Sequence, residues 1–348
     1  MAKVRSTALC IALKQAEEAR RLLQSQGLLR HDLCLSKTWS HIFFPLQAPP
    51  PVVSIGRVVE HSFVQRQEKI RSYKDVAAVP STMKGLLPTS YDVVGTIALV
   101  KLPSELGAYA ARIGEAMLLA NPHLRTVCQV EPVTGELRVR GCRVIAGERT
   151  TVTTAVEYGL RLRVDVGSIY FSPRLSSERR RVADLVRDGE RVVDLFAGVA
   201  PFSIMIAKYA HPRIVVAIDK NEAAVTYARE NVRVNQVGDR VEVLFGDARD
   251  APRFVHDKAD RIIMNLPFSA HEFLGTALAI AADRCVIHYY DILGEDEVEG
   301  RWRELSIAAA SAGFQLSNDG VRRIKSYSAR EFYIGMDITA TKVAAAVA

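Results

Sequence analysis

Residues 191–210, RVVDLFAGVAPFSIMIAKYA, decide the fold of this chain. Arg191 to Phe196 is short, apolar and rich in β-branched residues, which predicts a buried strand. The small residues after it, Gly198 among them, predict a tight turn, and Pro201 is typical of the first position of a helix, where its missing N–H costs nothing. A strand, a glycine turn and a helix N-terminus together form a place where backbone can approach a nucleotide-like ligand closely.

Polar residues also follow the next three predicted strands. One apolar strand ends in Asp219, the next is followed by Asp247, and the strand DRIIM runs into Asn265. The first strand carries Asp194 at its end. Open α/β sheets bind ligands at the carboxyl ends of their strands, and a carboxylate roughly 20 residues after the glycine turn binds ribose hydroxyls. The sequence therefore predicts a doubly wound α/β domain whose ligand site collects these four side chains.

The stretch Asn265-Leu266-Pro267-Phe268 resembles the Asn-x-Pro-aromatic loop of methyltransferases that modify a nitrogen in a planar ring or amide. An Asn side chain offers one acceptor and two donors at fixed angles, Pro stiffens the loop, and an aromatic ring can cover a flat substrate. The turn at Gly198, with one glycine and an acidic strand end, resembles the first motif of S-adenosylmethionine (SAM) enzymes rather than a dinucleotide fingerprint.

Composition sets broad limits on the class of protein. The chain has 348 residues, 49% hydrophobic and 24% charged, as expected for a globular protein of two or three domains. Its net charge of +7 favours a polyanionic partner. The five cysteines form no CxxC pair, so neither a zinc framework nor a disulfide scaffold is expected. We also expect no bound metal ion. No segment approaches the ~20 apolar residues of a membrane span, so we expect a cytoplasmic protein without membrane contact.

The chain divides into four predicted segments. Residues 1–55 read as a small N-terminal α+β domain, and 56–86, polar after three consecutive prolines, as a linker. Residues 87–165 read as an α+β domain, and 166–348 as the Rossmann-like α/β domain. We expect a monomer.

The segment YFSPRLSSERRR, at 170–181, is dense in functional residue types. A helix is predicted from near Ser176, with Glu178 in its first turn, where the helix dipole favours an acid. Arg179 and Arg181 crowd the same positive end of the dipole. A nearby phosphate partner would offset this unfavourable charge, whereas a solvated basic face is the alternative.

Five motifs together resemble the archaeal and eukaryotic tRNA (guanine-37, N1)-methyltransferases. These are IYFSPRLSSER at 169–179, DLFAGVAPFS at 194–203, NLPFSAHEFL at 265–274, IHYY at 287–290 and KSYSARE at 325–331. The resemblance covers residues 87 to 340 well and the N-terminal domain more loosely. Ala200 departs from it, because the family usually has Gly there. The resemblance implies SAM as cofactor, tRNA as partner, and methylation of N1 of guanosine 37 in the anticodon loop.

The resemblance also implies roles for individual residues. Glu178 would be the general base that takes the N1 proton, and an arginine of the strand GELRVRG would steady O6. Arg138 is favoured over Arg140 by spacing, but alternate residues of a strand share a face, so geometry leaves both open. Asn265, with Pro267 shaping its loop, would orient the base. The implied cofactor residues are Asp194, Phe196, Gly198, Asp219, Asp247, Asn265 and Arg174; the implied substrate and RNA residues are Arg140, Tyr170, Phe171, Arg179 and Arg181.

Two other functions share this fold. A wyosine-pathway enzyme moves an aminocarboxypropyl group at the same tRNA position, but those relatives lose the Asn-Leu-Pro loop that Asn265 begins. A non-catalytic SAM-fold RNA-binding protein would not need the intact set of Asp194, Gly198, Asp219 and Asn265. These motifs therefore favour a methyltransferase over the two alternatives.

Overall fold

The structure is a computed structural model that describes residues 3–49, 55–66, 70–134 and 139–343. Its contacts divide the chain into two compact units, Met1–Arg71 and Ser72–Ala348. Each unit has its own hydrophobic core and is described by itself. None of the described helices is long and apolar enough to cross a lipid bilayer.

The first unit is an antiparallel sheet covered by one helix. Strand β1 (Lys3–Ala12) lies between β3 and β4, giving the order β2-β3-β1-β4. The apolar side chains of β1 and β3 pack on the helix through Ala19 and Leu23. The remaining elements are α1 (Ala16–Ser25), β2 (Ser36–Lys37), β3 (His41–Pro45) and β4 (Arg57–Val64).

The expectation of a linker over 56–86 is wrong in its first part, because β4 pairs with β1 along eight residues. β4 is an edge strand in which only Phe63 is fully buried. An edge strand can stay polar on its outer side, which explains why its composition suggested a linker. Part of the later stretch also packs: Tyr73 and Ala77 belong to the core of the second unit.

The second unit begins with a four-stranded sheet of order β5-β6-β7-β8 and a hairpin of two strands. The helix α3 packs on β7 and β8, where Gly114 permits close approach to Ala146. The elements are α2 (Tyr73–Val76), β5 (Asp92–Val94), β6 (Ile97–Val100), α3 (Ala110–Ala120), β7 (Thr126–Thr134), β8 (Val139–Gly147), β9 (Val152–Glu157) and β10 (Leu160–Asp165).

The main sheet has seven strands in the order β13-β12-β11-β14-β15-β17-β16, parallel except for β17. This confirms the predicted doubly wound α/β domain. The elements are α4 (Ser176–Leu185), β11 (Arg191–Asp194), α5 (Pro201–Tyr209), β12 (Ile214–Asp219), α6 (Glu222–Val234), β13 (Val241–Phe245), α7 (Ala251–Phe254), β14 (Ala259–Met264), α8 (Leu274–Ile280), β15 (Ala281–Gly294), α9 (Val298–Ser311), β16 (Phe314–Ser326) and β17 (Glu331–Lys342).

The smaller sheet, the hairpin and the main sheet share one apolar core within this unit. Polar groups tie the hairpin to α6 as well: the amides of Asn231 and Asn235 bond the backbone of Arg163 and Arg161 at 2.7–3.0 Å. Because the core is continuous here, no separate compact unit begins at residue 166, and the division at 165 stays a prediction.

A buried ion pair joins the hairpin to α4. The guanidinium of Arg179 contacts both carboxylate oxygens of Glu157 at 2.5 and 2.7 Å, and it donates to the backbone carbonyl of Ser172 at 3.0 Å. Both side chains are at most 5% exposed. A charge this deep is tolerated only while its partner remains.

We expect Glu157→Ala to lower the free energy of unfolding by about 3–5 kcal/mol, because it leaves the Arg179 guanidinium buried without a counter-charge. Urea unfolding followed by circular dichroism measures this. Asp184→Ala is the matched control: it breaks the exposed pair with Arg180 on the same helix and should cost about 1 kcal/mol or less. Equal losses in the two variants would contradict the expectation.

Candidate functional site

A cavity of about 360 Å³ opens at the carboxyl ends of β11, β12 and β14. It collects most of the residues that the sequence assigned to a cofactor. Those that line it are Phe196, Gly198, Asp219, Asp247 and Asn265. The other predicted site residues that line it are Pro267, Tyr170, Phe171 and Arg179. The predicted ligand edge of the sheet is therefore a real concavity.

The turn after β11 brings backbone donors to a carboxylate. Gly198 adopts φ +56°, and a Cβ built on it would meet no atom within 4 Å, so its conformation rather than packing explains the glycine. Its N–H donates to Asp219 at 2.6 Å, and the N–H of Asn221 donates to the same carboxylate at 2.8 Å. A carboxylate has about four lone-pair sites, so Asp219 keeps acceptor capacity for a ligand.

Asp194 lies at the end of β11 and is fully buried. One carboxylate oxygen accepts a hydrogen bond from Ser203 at 2.9 Å, while the other has no hydrogen-bond partner among the described residues. Burial raises the pKa of Asp194 to about 7, and the charge of Asp219 adds to the rise. Asp194 therefore supports the turn from inside the protein core, and its side chain changes charge near neutral pH.

The turn holds one strained residue. Ala200, the N-cap of α5, has φ +62° and ψ +38°, the left-handed conformation that glycine adopts without penalty. The departure from the family's usual Gly thus keeps the turn's shape but adds strain.

An apolar wall of the cavity begins within this turn, at Phe196. The rings of Phe196 and Phe273 meet edge to face at 4.9 Å, and the guanidinium of Arg249 lies 4.6 Å from the Phe273 ring centroid. Asp247 accepts from the backbone N–H of Arg249 at 2.8 Å and pairs with its side chain at 3.2 Å. Flat apolar surface beside a carboxylate suits a ring that carries an amino group.

The loop after β14 is anchored by a buried carboxylate. The N–H of Phe268 donates to Asp291 at 2.8 Å, and Asp291 also accepts from the hydroxyl of Tyr289 at 2.5 Å and contacts Arg301 at 3.1 Å. Phe268 adopts φ +74°, an uncommon conformation for an aromatic residue. Such strain persists only when surrounding contacts hold it, and Asp291 supplies them.

Two tyrosines connect the loop with Glu178. The hydroxyl of Tyr333 donates to Oδ1 of Asn265, and that of Tyr290 donates to Glu178 at 2.9 Å. The two rings lie 6.1 Å apart. Burial, followed by the charge of Glu178, raises the pKa of Tyr290 well above its usual range, so its hydroxyl stays a donor.

Glu178 is 6% exposed and lies in a network of charges. Arg181 donates to both of its carboxylate oxygens at 2.7 and 2.8 Å, and Arg322 lies 3.5 Å away. Glu178 itself does not line the cavity, although Leu175 and Arg179 on either side of it in the chain do.

Asp337 on β17 is the centre of the same network. It accepts from Arg181 and Arg322 at 2.8–3.1 Å and from Nδ1 of His288 at 2.6 Å. Burial raises the pKa of Asp337, but these hydrogen bonds outweigh it and hold that pKa far below its usual range. Burial lowers the pKa of His288, so the ring is neutral, and its Nε2 accepts from Arg261 at 2.8 Å.

The predicted phosphate contacts on α4 need correction. Arg179 is only 2% exposed and held by Glu157, so it cannot reach a phosphate. Arg181 is occupied by Glu178 and Asp337. Protein carboxylates thus offset the crowded positive charge that the sequence suggested a phosphate would offset.

The arginines predicted for cofactor and O6 are placed unequally. Arg138 lies outside the described residues. Arg140 has its guanidinium 5.0 Å from the Tyr170 ring centroid and 3.8 Å from Asp92. Arg174 pairs with Asp92 at 2.6 Å and does not line the cavity, so the structure does not bring it to the cofactor residues.

Several residues that hold or line the site received no predicted role from the sequence. Tyr290 and His288 lie in IHYY, and Tyr327, which lines the cavity, lies in KSYSARE. Both motifs were recognised without roles. Tyr333 and Asp337 had no signal, because each acts across the sheet from the far end of the chain. Among the described residues, no group of three His, Cys, Asp or Glu could hold a metal ion.

This strand order, with a glycine turn and a cavity at the strand ends, defines a Rossmann-like methyltransferase. Residues 153–316 match the profile of the TRM5/TYW2 methyltransferase domain, and residues 76–150 match that of the TYW2 N-terminal domain. The chain belongs to this TRM5/TYW2 methyltransferase family.

Three relatives illustrate the membership. The chain is 39% identical to the tRNA (guanine(37)-N(1))-methyltransferase Trm5b of Pyrococcus abyssi, over 94% of this chain and 97% of the relative. It superposes on a structure described as the complex of aTrm5 and tRNALeu with a TM-score of 0.79, at 31% identity, over 95% and 99% of the two chains. It is also 32% identical to a tRNA(Phe) (4-demethylwyosine(37)-C(7)) aminocarboxypropyltransferase of Pyrococcus horikoshii, over 76% and 94%.

The raised pKa of Asp194 gives a pH-dependent stability. The folded protein binds the Asp194 proton more tightly than the unfolded chain does. The resulting contribution to the free energy of unfolding is therefore present at low pH and is lost as the pH rises from about 4 to about 7. We expect the fall to amount to roughly 3–5 kcal/mol.

Asp194→Asn should remove this fall and make the variant more stable than the parent above pH 7, measured by urea unfolding at pH 5 and pH 8. Asp184→Asn, at an exposed position, is the control and should leave the difference between the two pH values unchanged. Parallel behaviour of Asp194→Asn and the parent would contradict the shift.

Proposed function

We propose that the protein transfers the methyl group of S-adenosylmethionine to N1 of guanosine 37 in tRNA. The observation that carries the proposal is one cavity that joins Asp219 with the Asn265 loop. Asp219 provides acceptors for a ribose, and the Asn265 loop provides hydrogen-bonding groups for the edge of a base. A relative named for this reaction aligns with 94% of the chain.

The cavity offers partners for the ribose and the adenine of the cofactor. Asp219 retains lone pairs for a ribose diol, the Phe196 and Phe273 rings offer a slot for adenine, and Asp247 lies beside that slot for the adenine amino group. The cofactor supplies an electrophilic methyl group on a sulfonium sulfur. Gly198 keeps the turn open for the rest of the molecule.

The substrate guanosine approaches from the mouth of the cavity. Phe268 and Tyr327, both about half exposed, meet there edge to face at 5.5 Å. A base in an anticodon loop can be splayed out and stacked on such rings. Tyr170 lines the cavity under Arg140 and fits this role better than Phe171, which is 5% exposed and packed against Arg179.

Guanine N1 must lose its proton to become a nucleophile. Glu178 would accept it: the N1–H bond breaks and the proton goes to the carboxylate. N1 would bond the methyl carbon while the bond from that carbon to sulfur breaks and sulfur keeps the electron pair, which leaves S-adenosylhomocysteine. Three hydrogen bonds from Arg181 and Tyr290 occupy part of the carboxylate, and about one lone-pair site remains for the proton. Binding of the base brings the two groups within reach, directly or through one water.

One arginine stabilises the negative charge that develops on O6. It lies either in β8 or just before β8 in the sequence. Arg140 is the described candidate, with its Nε buried and without a hydrogen-bond partner among the described residues. Arg138 remains the other. We further propose that the protein acts on tRNA in the cytoplasm as a monomer, which light scattering on the purified chain tests.

A second candidate is the aminocarboxypropyl transfer of the wyosine pathway. The match of residues 76–150 to the TYW2 N-terminal profile favours it. Two incubations, each followed by nucleoside analysis, separate the two functions. With methyl-labelled SAM and tRNA that carries guanosine 37, labelled 1-methylguanosine supports methylation. With carboxyl-labelled SAM and tRNA(Phe) that carries 4-demethylwyosine 37, carboxyl label in the tRNA supports the alternative. A tRNA with adenosine at position 37 is the substrate control.

Asp219→Ala should weaken SAM binding by about 1.5–3 kcal/mol, the range for a hydrogen bond to a charged group. Calorimetric titration measures it. Asp239→Ala, at a surface aspartate that pairs with its neighbour Arg240, is the control and should bind like the parent. Unchanged affinity in Asp219→Ala would remove the ribose assignment.

Glu178→Gln keeps the shape of the side chain but cannot take a proton, so single-turnover methyl transfer should fall by ~10²–10⁴-fold, with SAM and tRNA affinity nearly unchanged. Rapid-quench assays with saturating enzyme measure this. Glu190→Gln, which alters a carboxylate paired with Arg261 in the same unit, controls for loss of a buried charge. A rate within about threefold of the parent would remove the base assignment.

A further inference from the structure

The amide of Asn265 is held by a residue far along the chain. Tyr333, on β17, donates its hydroxyl to Oδ1 of Asn265, at the end of β14. Tyr333 is 2% exposed, whereas Asn265 lines the cavity. The oxygen end of the Asn265 amide therefore contacts a buried hydroxyl, while Asn265 itself is part of the cavity wall.

A side-chain amide has two chemically different ends: an oxygen that accepts and an NH₂ that donates. A phenol is a better donor than acceptor, because its ring withdraws charge from the oxygen. The Tyr333 hydroxyl thus selects the rotamer with Oδ1 towards itself, and the amide is left with two donors, on Nδ2, for the cavity.

Packing fixes the Tyr333 ring. It lies 6.1 Å from the ring of Tyr290, and Nζ of Lys325 lies 5.1 Å from its centroid. Tyr290 in turn stands opposite Gly335, where an added Cβ would come within 3.1 Å of its ring. A ring held on several sides keeps its hydroxyl in one place.

We propose that Tyr333 is a positioning residue that turns Nδ2 of Asn265 towards the substrate, so that the amide donates to O6 of guanine and does not accept from its 2-amino group. This inference rests on the proposed function. It adds a residue and an orientation that decide which atom of the base edge is recognised.

The first test is a double-mutant cycle on methyl transfer. Tyr333→Phe removes one oxygen and should lower kcat roughly tenfold, the effect of one hydrogen bond of about 1.4 kcal/mol, with SAM affinity unchanged. Asn265→Ala should be slower still, and adding Tyr333→Phe to it should change nothing more, because the hydroxyl acts through the amide. Tyr73→Phe, which removes a buried hydroxyl bonded to the carbonyl of Pro88, is the matched control.

The second test needs no change at Tyr333. Inosine at position 37 keeps O6 and lacks the 2-amino group. Asn265→Ala should slow methyl transfer by the same factor on tRNA with guanosine 37 and on tRNA with inosine 37. If the penalty disappears with inosine, the amide accepts from the 2-amino group and the inference is overturned.

Different results would overturn the proposed function and the role of Tyr333. A parent chain that does not methylate guanosine 37 overturns the proposed function and this inference with it. An active parent, combined with a tenfold loss from Tyr333→Phe that persists in the Asn265→Ala background, overturns the inference alone. If Tyr333→Phe does not fold, as thermal unfolding would show, the inosine comparison decides.

Discussion

The site depends on one carboxylate, Asp337, which receives hydrogen bonds from two strands and a helix at once. Removing charges from water is costly, and the cost is met only when geometry is good and the remaining polar groups are satisfied. Arg181 and Arg322 each contact both Asp337 and Glu178. The position of Glu178 is therefore set by β16 and β17, the closing strands of the sheet.

Backbone strain appears at two places that border the cavity. Ala200 and Phe268 both adopt positive φ, which costs of order 1–3 kcal/mol for a residue with a side chain. Each is held by its surroundings: Ala200 is fully buried at the start of α5, and Phe268 is bonded through its N–H to Asp291. The strain shapes the turn on one side of the cavity and the base loop on the other.

Arginine has two different uses in this fold. Arg179 is buried with Glu157 and joins two layers of the structure, whereas Arg140 and Arg174 share Asp92 near Tyr170. The run of three arginines in the sequence suggested a single role for its members. Their fates differ because a helix points successive side chains in different directions, so each meets a different carboxylate.

The sequence by itself determined four strands of the main sheet, the glycine turn and the polar residues at the strand ends, because strand periodicity and turn chemistry are local properties. It also identified the Asn265 loop and the family. Only the tertiary structure decided that 57–64 pairs with β1, that Arg179 is buried, and that Tyr333 and Asp337 reach Asn265 and Glu178. These depend on which strands become neighbours. In a sheet whose last strands return antiparallel beside β15, residues far apart in the chain meet, and no local pattern records it.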